Sequence, residues 1–250
     1  MPSTSETGHA KNVANFEDLI SFCIAYGAAY NPSKESLTII KLKELEAAAK
    51  QVLQQVKTIK TGFDNATNAR QTAFKDLKPL ATKIVNALAV SGASTLSIDD
   101  AKTVNRKIQG TKANGSAKTS TTSADSNAPA VTDKTISTSQ QSYDSVIDHF
   151  TKIIETVSQE SNYQPNETEL KTVTLQTKLA NLKSSNSALI NGYTNWSNAR
   201  ISRNSTLYNP LTGLVQIALD VKKYVKSVFG ATSPQFKQVS GLEFKIQKSQ

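Results

Sequence analysis

"GFDNATNAR" at residues 62–70 and "GYTNWSNAR" at residues 192–200 are two versions of one nine-residue phrase. Each version ends in an arginine, and the sequences that surround the two versions also match. Self-similarity over a long segment is typical of an internal duplication. The sequence therefore predicts two homologous helical units, at 11–110 and 142–247, with a different kind of segment at 111–141 between them.

The segment 111–141 is rich in Ser, Thr and Ala, and its only sizeable apolar residues are Val131 and Ile136. A segment of this composition buries too little apolar surface to offset the entropy lost when a chain becomes ordered. The composition predicts a flexible, disordered linker that tethers the two units.

Each unit opens with an amphipathic pattern, in which apolar residues recur at helical spacing. Both patterns run up to a Tyr-x-Pro step, which predicts a turn at 30–32 and at 163–165. The residues predicted to face inward are Phe16, Leu19, Ile20, Cys23 and Ile24 in the first unit, and Tyr143, Ile147, Phe150, Ile154 and Val157 in the second.

A long helix follows in each unit. In the first unit, an apolar stripe with coiled-coil-like spacing runs from Leu45 to Leu77, which predicts a helix of about 35 to 45 residues. A Pro-Leu step then ends or restarts the helix at Pro79 and at Pro210.

The remaining boundaries are predicted from capping chemistry. Glycine at 92 and at 230 suits the left-handed conformation that terminates helices. "NETE" from Asn166 and "SIDDAK" from Ser97 fit capping boxes, and "SPQFK" from Ser233 fits Pro at the first helical position. The fold class predicted is all-α: two tandem bundles, each of three long antiparallel helices and a short one.

The repeated phrase places polar residues on the inward face of each long helix. Arg70, Arg200 and Arg203 continue the apolar stripes, and a buried arginine must be paired with a hydrogen-bond acceptor. One interpretation is a structural polar layer, with each arginine bonded to a carboxylate or to helix-end carbonyls. The alternative is an anion site in each unit, in which the guanidinium of the arginine donates two hydrogen bonds to the anion. Four asparagines would flank either arrangement: Asn65, Asn68, Asn195 and Asn198.

No pattern typical of catalysis occurs. The chain has no nucleophile elbow, phosphate-binding glycine loop or His/Cys/Asp/Glu spacing of a metal site, so we expect no catalytic residue, cofactor or metal. His9 is expected in a frayed amino-terminal segment, and His149 lies beside an apolar stripe. Cys23, the only cysteine, is expected to be an inert core thiol. An enzyme is therefore not predicted.

Charge and hydropathy limit the remaining classes of function and the cellular location. The 250-residue chain has a formal net charge of +9, with Lys and Arg spread along its length, which favours weak binding to nucleic acid or another polyanion. It shows no secretory signal pattern and no apolar run long enough for a transmembrane segment. We expect a cytoplasmic protein, with export by a route other than Sec left open.

Several phrases resemble an uncharacterised family of duplicated all-helical proteins from Bacteroidota. They include "ETGHAKNVANFEDLISF", "YNPSK", "PNETEL" and "NPLTGLVQIALDVKKYVKSVFGATSPQFKQVS". The resemblance covers both halves and is weakest in the Ser/Thr-rich segment. It implies a bacterial source and no particular activity.

These features favour a non-enzymatic structural or protein-interaction protein, whose helices bind a partner or other copies of the chain. The alternative is a basic module that binds nucleic acid or an acidic polymer, using two units on one tether.

Overall fold

A computed structural model of the chain describes residues 7–110 and 141–247. Throughout these two ranges the regular secondary structure is helical, without a strand, which confirms the predicted all-α class. Within them, eight α-helices follow one another: α1 Thr7–Ala25, α2 Ile39–Phe74, α3 Leu77–Val90, α4 Thr95–Gln109, α5 Tyr143–Gln159, α6 Thr172–Tyr208, α7 Leu214–Phe229 and α8 Pro234–Ser240.

The two long helices are α2, with 36 residues, and α6, with 37. The predicted length of the first is therefore confirmed. Apart from Leu207 near the end of α6, their fully or nearly fully buried apolar residues recur every seven positions, the spacing at which one helix keeps the same side toward its neighbours. These residues are Leu42, Ala49 and Val56 on α2, and Leu175, Leu182 and Leu189 on α6.

A 3₁₀ turn precedes each long helix, at Glu35–Leu37 and at Thr168–Leu170. The capping box predicted at Asn166 is therefore wrong, because its residues enter the 3₁₀ turn and α6 begins only at Thr172. Short 3₁₀ turns at helix entrances satisfy backbone groups that the first turn of the helix leaves unpaired.

A buried tyrosine closes the loop before each of these turns. The hydroxyl of Tyr30 donates to the carbonyl of Leu37 at 2.7 Å, and the hydroxyl of Tyr163 donates to the carbonyl of Leu170 at 3.0 Å. The loops that begin at the two Tyr-x-Pro steps are thus closed by a hydrogen bond of the same kind.

Other predicted boundaries have mixed outcomes. Gly92 and Gly230 have φ of +84° and +90°, so both are confirmed as helix terminators in a conformation that favours glycine. Ser233 is confirmed as the N-cap of α8. The predicted start of α4 at Ser97 is wrong: Ser94 is the N-cap, and its hydroxyl accepts from the amide of Ser97 at 3.1 Å.

Contacts divide the chain into two compact units. Unit 1 comprises Met1–Asp64 and Asn191–Gln250, and unit 2 comprises Asn65–Ile190. These units differ from the segments 11–110 and 142–247 that the sequence repeat suggested, because each compact unit takes residues from both. The reason is that α2 and α6 each contribute one part to unit 1 and the other part to unit 2.

The core of unit 1 combines helices from the two ends of the chain. Phe16, Leu19 and Cys23 of α1 pack in one cluster with residues of α7, and Val239 of α8 joins them. Ile24, which was predicted to face inward, is 47% exposed. Other buried residues of this cluster are Val13, Ile20, Tyr30, Leu37, Leu42, Ala49, Leu207, Leu214, Val215, Ile217, Ala218, Val221 and Val225.

The core of unit 2 combines α3 and α4 with α5 and the beginning of α6. Phe150 and Ile153 of α5 are fully buried in the same cluster as Ile84 and Leu88 of α3 and Ile108 of α4. Each unit therefore contains the first helix of one half of the chain and the third and fourth helices of the other half.

The predicted linker lies outside the described residues except for its last residue, Gln141. The side-chain Nε2 of Gln141 donates to the backbone carbonyl of Lys107 at 2.5 Å. A Cβ placed on Gly110 would lie 2.9 Å from the same side chain. The residues on the two sides of 111–140 are thus in contact within unit 2.

Cutting the chain between residues 110 and 141 is expected to leave the two fragments associated, because each compact unit contains helices from both fragments. A protease site placed at 124–130 allows the cut to be made in the folded protein. Size-exclusion chromatography should show one peak that contains both fragments, with a thermal unfolding midpoint close to that of the uncut chain.

The control is the same sample in concentrated guanidinium chloride, where the fragments should separate. Separate elution of two folded fragments in native buffer would contradict the division of the helices between the two cores.

Candidate interaction face

Arg70 lies in unit 2, near the end of α2, and is half-buried. Its Nη1 donates to Oδ1 of Asn186 at 3.0 Å, and its Cζ lies 3.8 Å from the ring centre of Tyr143. The amide nitrogen of Asn186 donates in turn to Oδ1 of Asp144 at 2.7 Å. Arg70 is thus linked to a carboxylate through an amide, where the sequence had suggested a direct bond to a carboxylate or a helix-end carbonyl.

Asn186 is the buried member of this cluster, with 5% of its surface exposed. An amide suits the position because it accepts from the guanidinium with its oxygen and donates to the carboxylate with its nitrogen. The contact of a cation with the face of a tyrosine adds further attraction. Nothing in the sequence around Asn186 distinguishes it from the other asparagines of α6, so sequence reasoning missed it.

Arg200 and Arg203 lie in unit 1. The Cζ of Arg200 lies 4.9 Å from the ring centre of Trp196. Arg203 is 2% exposed, and its Nε and Nη2 donate to Oδ1 of Asn204 at 3.1 and 2.8 Å.

The four asparagines named with these arginines are all exposed. Asn65 and Asn68 lie in unit 2, and Asn195 and Asn198 lie in unit 1. In the described part of the chain, none of the four is bonded to Arg70, Arg200 or Arg203. The choice between a structural layer and an anion site therefore depends on the arginines alone.

Replacing Arg70 by methionine removes its hydrogen bond to buried Asn186 and its contact with Tyr143. We expect the free energy of unfolding to fall by about 1–3 kcal/mol, the usual cost of leaving a buried polar group unsatisfied. Urea unfolding followed by far-ultraviolet circular dichroism measures the change.

The control is Asn68→Ala, an exposed change on the same helix, which should shift stability by less than about 0.5 kcal/mol. Equal effects of Arg70→Met and Asn68→Ala would show that the arginine cluster does not stabilise unit 2.

On α6 in unit 1 no exposed residue is charged, and on α2 in unit 1 one exposed stripe is uncharged, whereas Lys43, Glu44, Lys50, Lys57 and Asp64 are exposed elsewhere on that helix. Ten exposed residues, spaced three and four apart along each helix, are all uncharged, although 20% of the chain is charged. We name this surface the uncharged face. Its residues are Ala48, Gln51, Gln55, Thr58 and Gly62 on α2, and Asn191, Asn195, Asn198, Ser202 and Ser205 on α6.

A depression of about 550 Å³ lies within the uncharged face. Ile59 and Phe63 of α2 line it together with Ala199 of α6, and Gln55, Asn195 and Asn198 are among its polar members. The depression is therefore apolar, with amide groups among its lining residues.

Two glycines of the repeated phrase have different surroundings. A Cβ placed on Gly192 would lie 3.4 Å from Cα of Phe63, so glycine there permits the close approach of α6 to α2. A Cβ placed on Gly62 would meet nothing within 4 Å. No contact within the described chain therefore accounts for glycine at position 62.

Aromatic and basic residues form a cluster in unit 1 that shares Phe63 with the depression of the uncharged face. The rings of Phe63 and Trp196 are stacked, with centres 5.6 Å apart and an interplanar angle of 11°. Lys60 Nζ lies 5.5 Å from the first ring centre and 5.4 Å from the second, and it is paired with Asp64. Trp196 is half-buried, whereas Tyr193 is 55% exposed.

His9 is not frayed, contrary to the prediction. It is 7% exposed within α1, and its Nδ1 lies 2.6 Å from the hydroxyl of Tyr208. Asn12, one turn later, donates to the carbonyl of Lys245 at 2.7 Å and accepts from the amide of the same residue at 3.0 Å. These bonds join α1 to the end of α6 and to the segment after α8.

Cys23 is buried in the core of unit 1, as predicted. Burial raises the pKa of its thiol to about 12. The thiolate is the reactive form, so this cysteine is inert near neutral pH.

Residues 7–110 and 141–247 contain no group of three or more His, Cys, Asp or Glu side chains arranged to hold a metal ion. Two smaller depressions in unit 2, of about 420 and 220 Å³, are partly lined by charged residues. In the larger one, Lys83 and Glu169 are already paired at 2.8 Å.

No helix in the described ranges combines the length and the apolar character needed to cross a membrane. The chain matches no protein-family model, no curated protein and no solved structure. The resemblance to a Bacteroidota family therefore stays a prediction.

Proposed function

We propose that the protein is a non-enzymatic structural or interaction protein, and that the uncharged face of unit 1 is the surface it presents to a partner or to other copies of itself. The observation that carries the proposal is the composition of that face: ten exposed helical positions, none of them charged.

Two properties of the face favour contact with another molecule over permanent exposure to water. Solvated helix faces usually carry Lys, Arg, Asp and Glu, which keep a protein soluble. Glycine in the interior of a helix costs about 1 kcal/mol relative to alanine. Gly62 is exposed in the interior of α2 without a neighbour that requires it. A backbone that approaches from outside the described chain would account for a residue without a side chain at this position.

The proposal includes two homologous halves on one chain. Its support is that equivalent positions of the two halves make equivalent bonds. Tyr30 and Tyr163 donate to carbonyls seven residues later, and Ser94 and Ser233 are N-caps of the fourth helices. The long helices differ in length by a single residue.

A photo-crosslinking amino acid at Asn198, in the uncharged face, tests the proposed surface. We expect adducts of higher mass after illumination in a lysate of the organism that makes the protein. The matched control is the same amino acid at Ser21, an exposed residue on α1 of the same unit, which should give none. Adducts at neither position, or equal adducts at both, would contradict the uncharged face as the interaction surface.

Binding to a polyanion is the second candidate, and a specific observation favours it. Unit 1 contains 15 Lys and Arg against 9 Asp and Glu. Two of its cations, Lys60 and Arg200, lie near the ring of Trp196. Cations beside aromatic rings are the usual components of surfaces that bind single-stranded nucleic acid.

Trp196 is the only tryptophan of the chain, so its fluorescence reports on this cluster alone. If the cluster binds a polyanion, an oligothymidylate should change the emission at about 0.05 M salt, and affinity should fall steeply as salt rises. Arg200→Gln should weaken binding, whereas Lys237→Gln, which removes an equal charge from α8, should not. Unchanged emission at low salt would remove this candidate.

A further inference from the structure

We propose that the partner of the uncharged face is the same face of a second copy of this chain, so that two copies form a dimer with two-fold symmetry. This inference rests on the proposed function, because it assigns an occupant to the surface named there.

The first argument is electrostatic. Each copy carries a net charge of +9, so two copies repel each other where their basic residues come within about 8 Å, the screening distance at physiological salt. The uncharged face contributes no ionisable side chain to this repulsion. An acidic or a basic partner would find no opposite charge there, whereas a second copy finds a surface that matches its own.

The second argument is hydrogen-bond complementarity. Each carboxamide of Gln55, Asn195 and Asn198 carries both a donor and an acceptor. Two-fold symmetry places each face against itself, so that a residue meets residues of the same set. A face made of amides and hydroxyls can therefore satisfy an identical face, which a surface made only of donors or only of acceptors cannot do.

The third argument concerns the approach of helices. From Ala48 to Gly62 the exposed stripe of α2 spans 14 residue steps, or about 21 Å of helix. Steps of three and four keep such residues on one side of a helix, as contact with another helix requires. Gly62 has open space where its side chain would be, so the backbone of another helix can come close at this point.

The dimer is expected to be weak and to strengthen with salt. Its contact surface is polar, and the repulsion between the two positive copies opposes association until salt screens it. We expect the dissociation constant to fall about threefold to tenfold between about 0.05 M and about 0.5 M salt. Binding to an acidic partner or a polyanion would change in the opposite direction.

The primary experiment is the mass of the purified full chain, measured by light scattering and sedimentation equilibrium over a hundredfold range of concentration at both salt levels. A monomer–dimer equilibrium that shifts to dimer at high salt supports the proposal. A monomer under every condition overturns it.

A charge placed in the face locates the contact. Asn198→Lys adds a like charge to both copies within the interface and should weaken the dimer at least tenfold. Ser21→Lys adds the same charge on α1 and should leave the dissociation constant unchanged, apart from a small general effect. Equal weakening by both variants, or by neither, overturns the assignment of the interface to the uncharged face. Both residues are exposed, and circular dichroism verifies that each variant is folded.

Site-specific cross-linking gives an independent readout. The buried thiol of Cys23 leaves a background without a reactive cysteine. Ser202→Cys should cross-link two copies with a short bismaleimide at neutral pH, and Ser21→Cys should not. Cross-linking of Ser21→Cys alone would overturn the proposal.

The photo-adducts formed at Asn198 distinguish failure of the proposed dimer from failure of the proposed function. Adducts that contain two copies of this chain support the dimer. Adducts that contain only a different protein overturn the dimer and leave the proposed function standing. Absence of any adduct contradicts both.

Discussion

The length of α2 and α6 is the constraint on which the rest of the structure depends. A helix of 36 residues is about 54 Å long, more than a core of about 100 residues can bury along one side. Each long helix therefore contributes to both compact units. Since α2 and α6 belong to different halves of the chain, each core is assembled from both halves. The repeated phrase lies where each helix passes from one unit to the other, and its residues consequently have different roles in the two units.

The difference between the two copies of the phrase follows from this arrangement. Arg70, in unit 2, is paired with buried Asn186 and Tyr143, whereas Arg200, in unit 1, lies against Trp196. Gly192 permits close packing of the two helices, and Gly62 is open to solvent. The two arginines thus differ because they belong to different cores, whereas the two glycines both lie in unit 1 and differ only in their neighbours. The uncharged face combines residues of α2 and α6, and neither half of the chain provides it alone.

Local features were predicted where a local physical cause determines them. The length of α2 followed from a stripe with steps of three and four, and Gly92 and Gly230 followed from the conformation that terminates helices. Ser233 followed from its place before a proline. A prediction failed where the same residues fit two local structures. At Asn166 the sequence fits a helix N-cap, but the residues that follow form a 3₁₀ turn. The uncharged face was not predicted, because the exposure of its residues depends on the tertiary structure, although their spacing was present in the sequence.

The sequence by itself determined that the chain is helical, because periodicity, capping residues and helix-ending glycines act over a few neighbouring positions. Only the tertiary structure decided which helices share a core. A duplicated sequence fits two separate bundles as well as two bundles that exchange helices, because the same apolar faces are buried in both cases. The tertiary structure likewise decided that His9 is buried against Tyr208 and that Asn186 is the partner of Arg70. These contacts join residues more than 100 positions apart, and no rule of local spacing relates them.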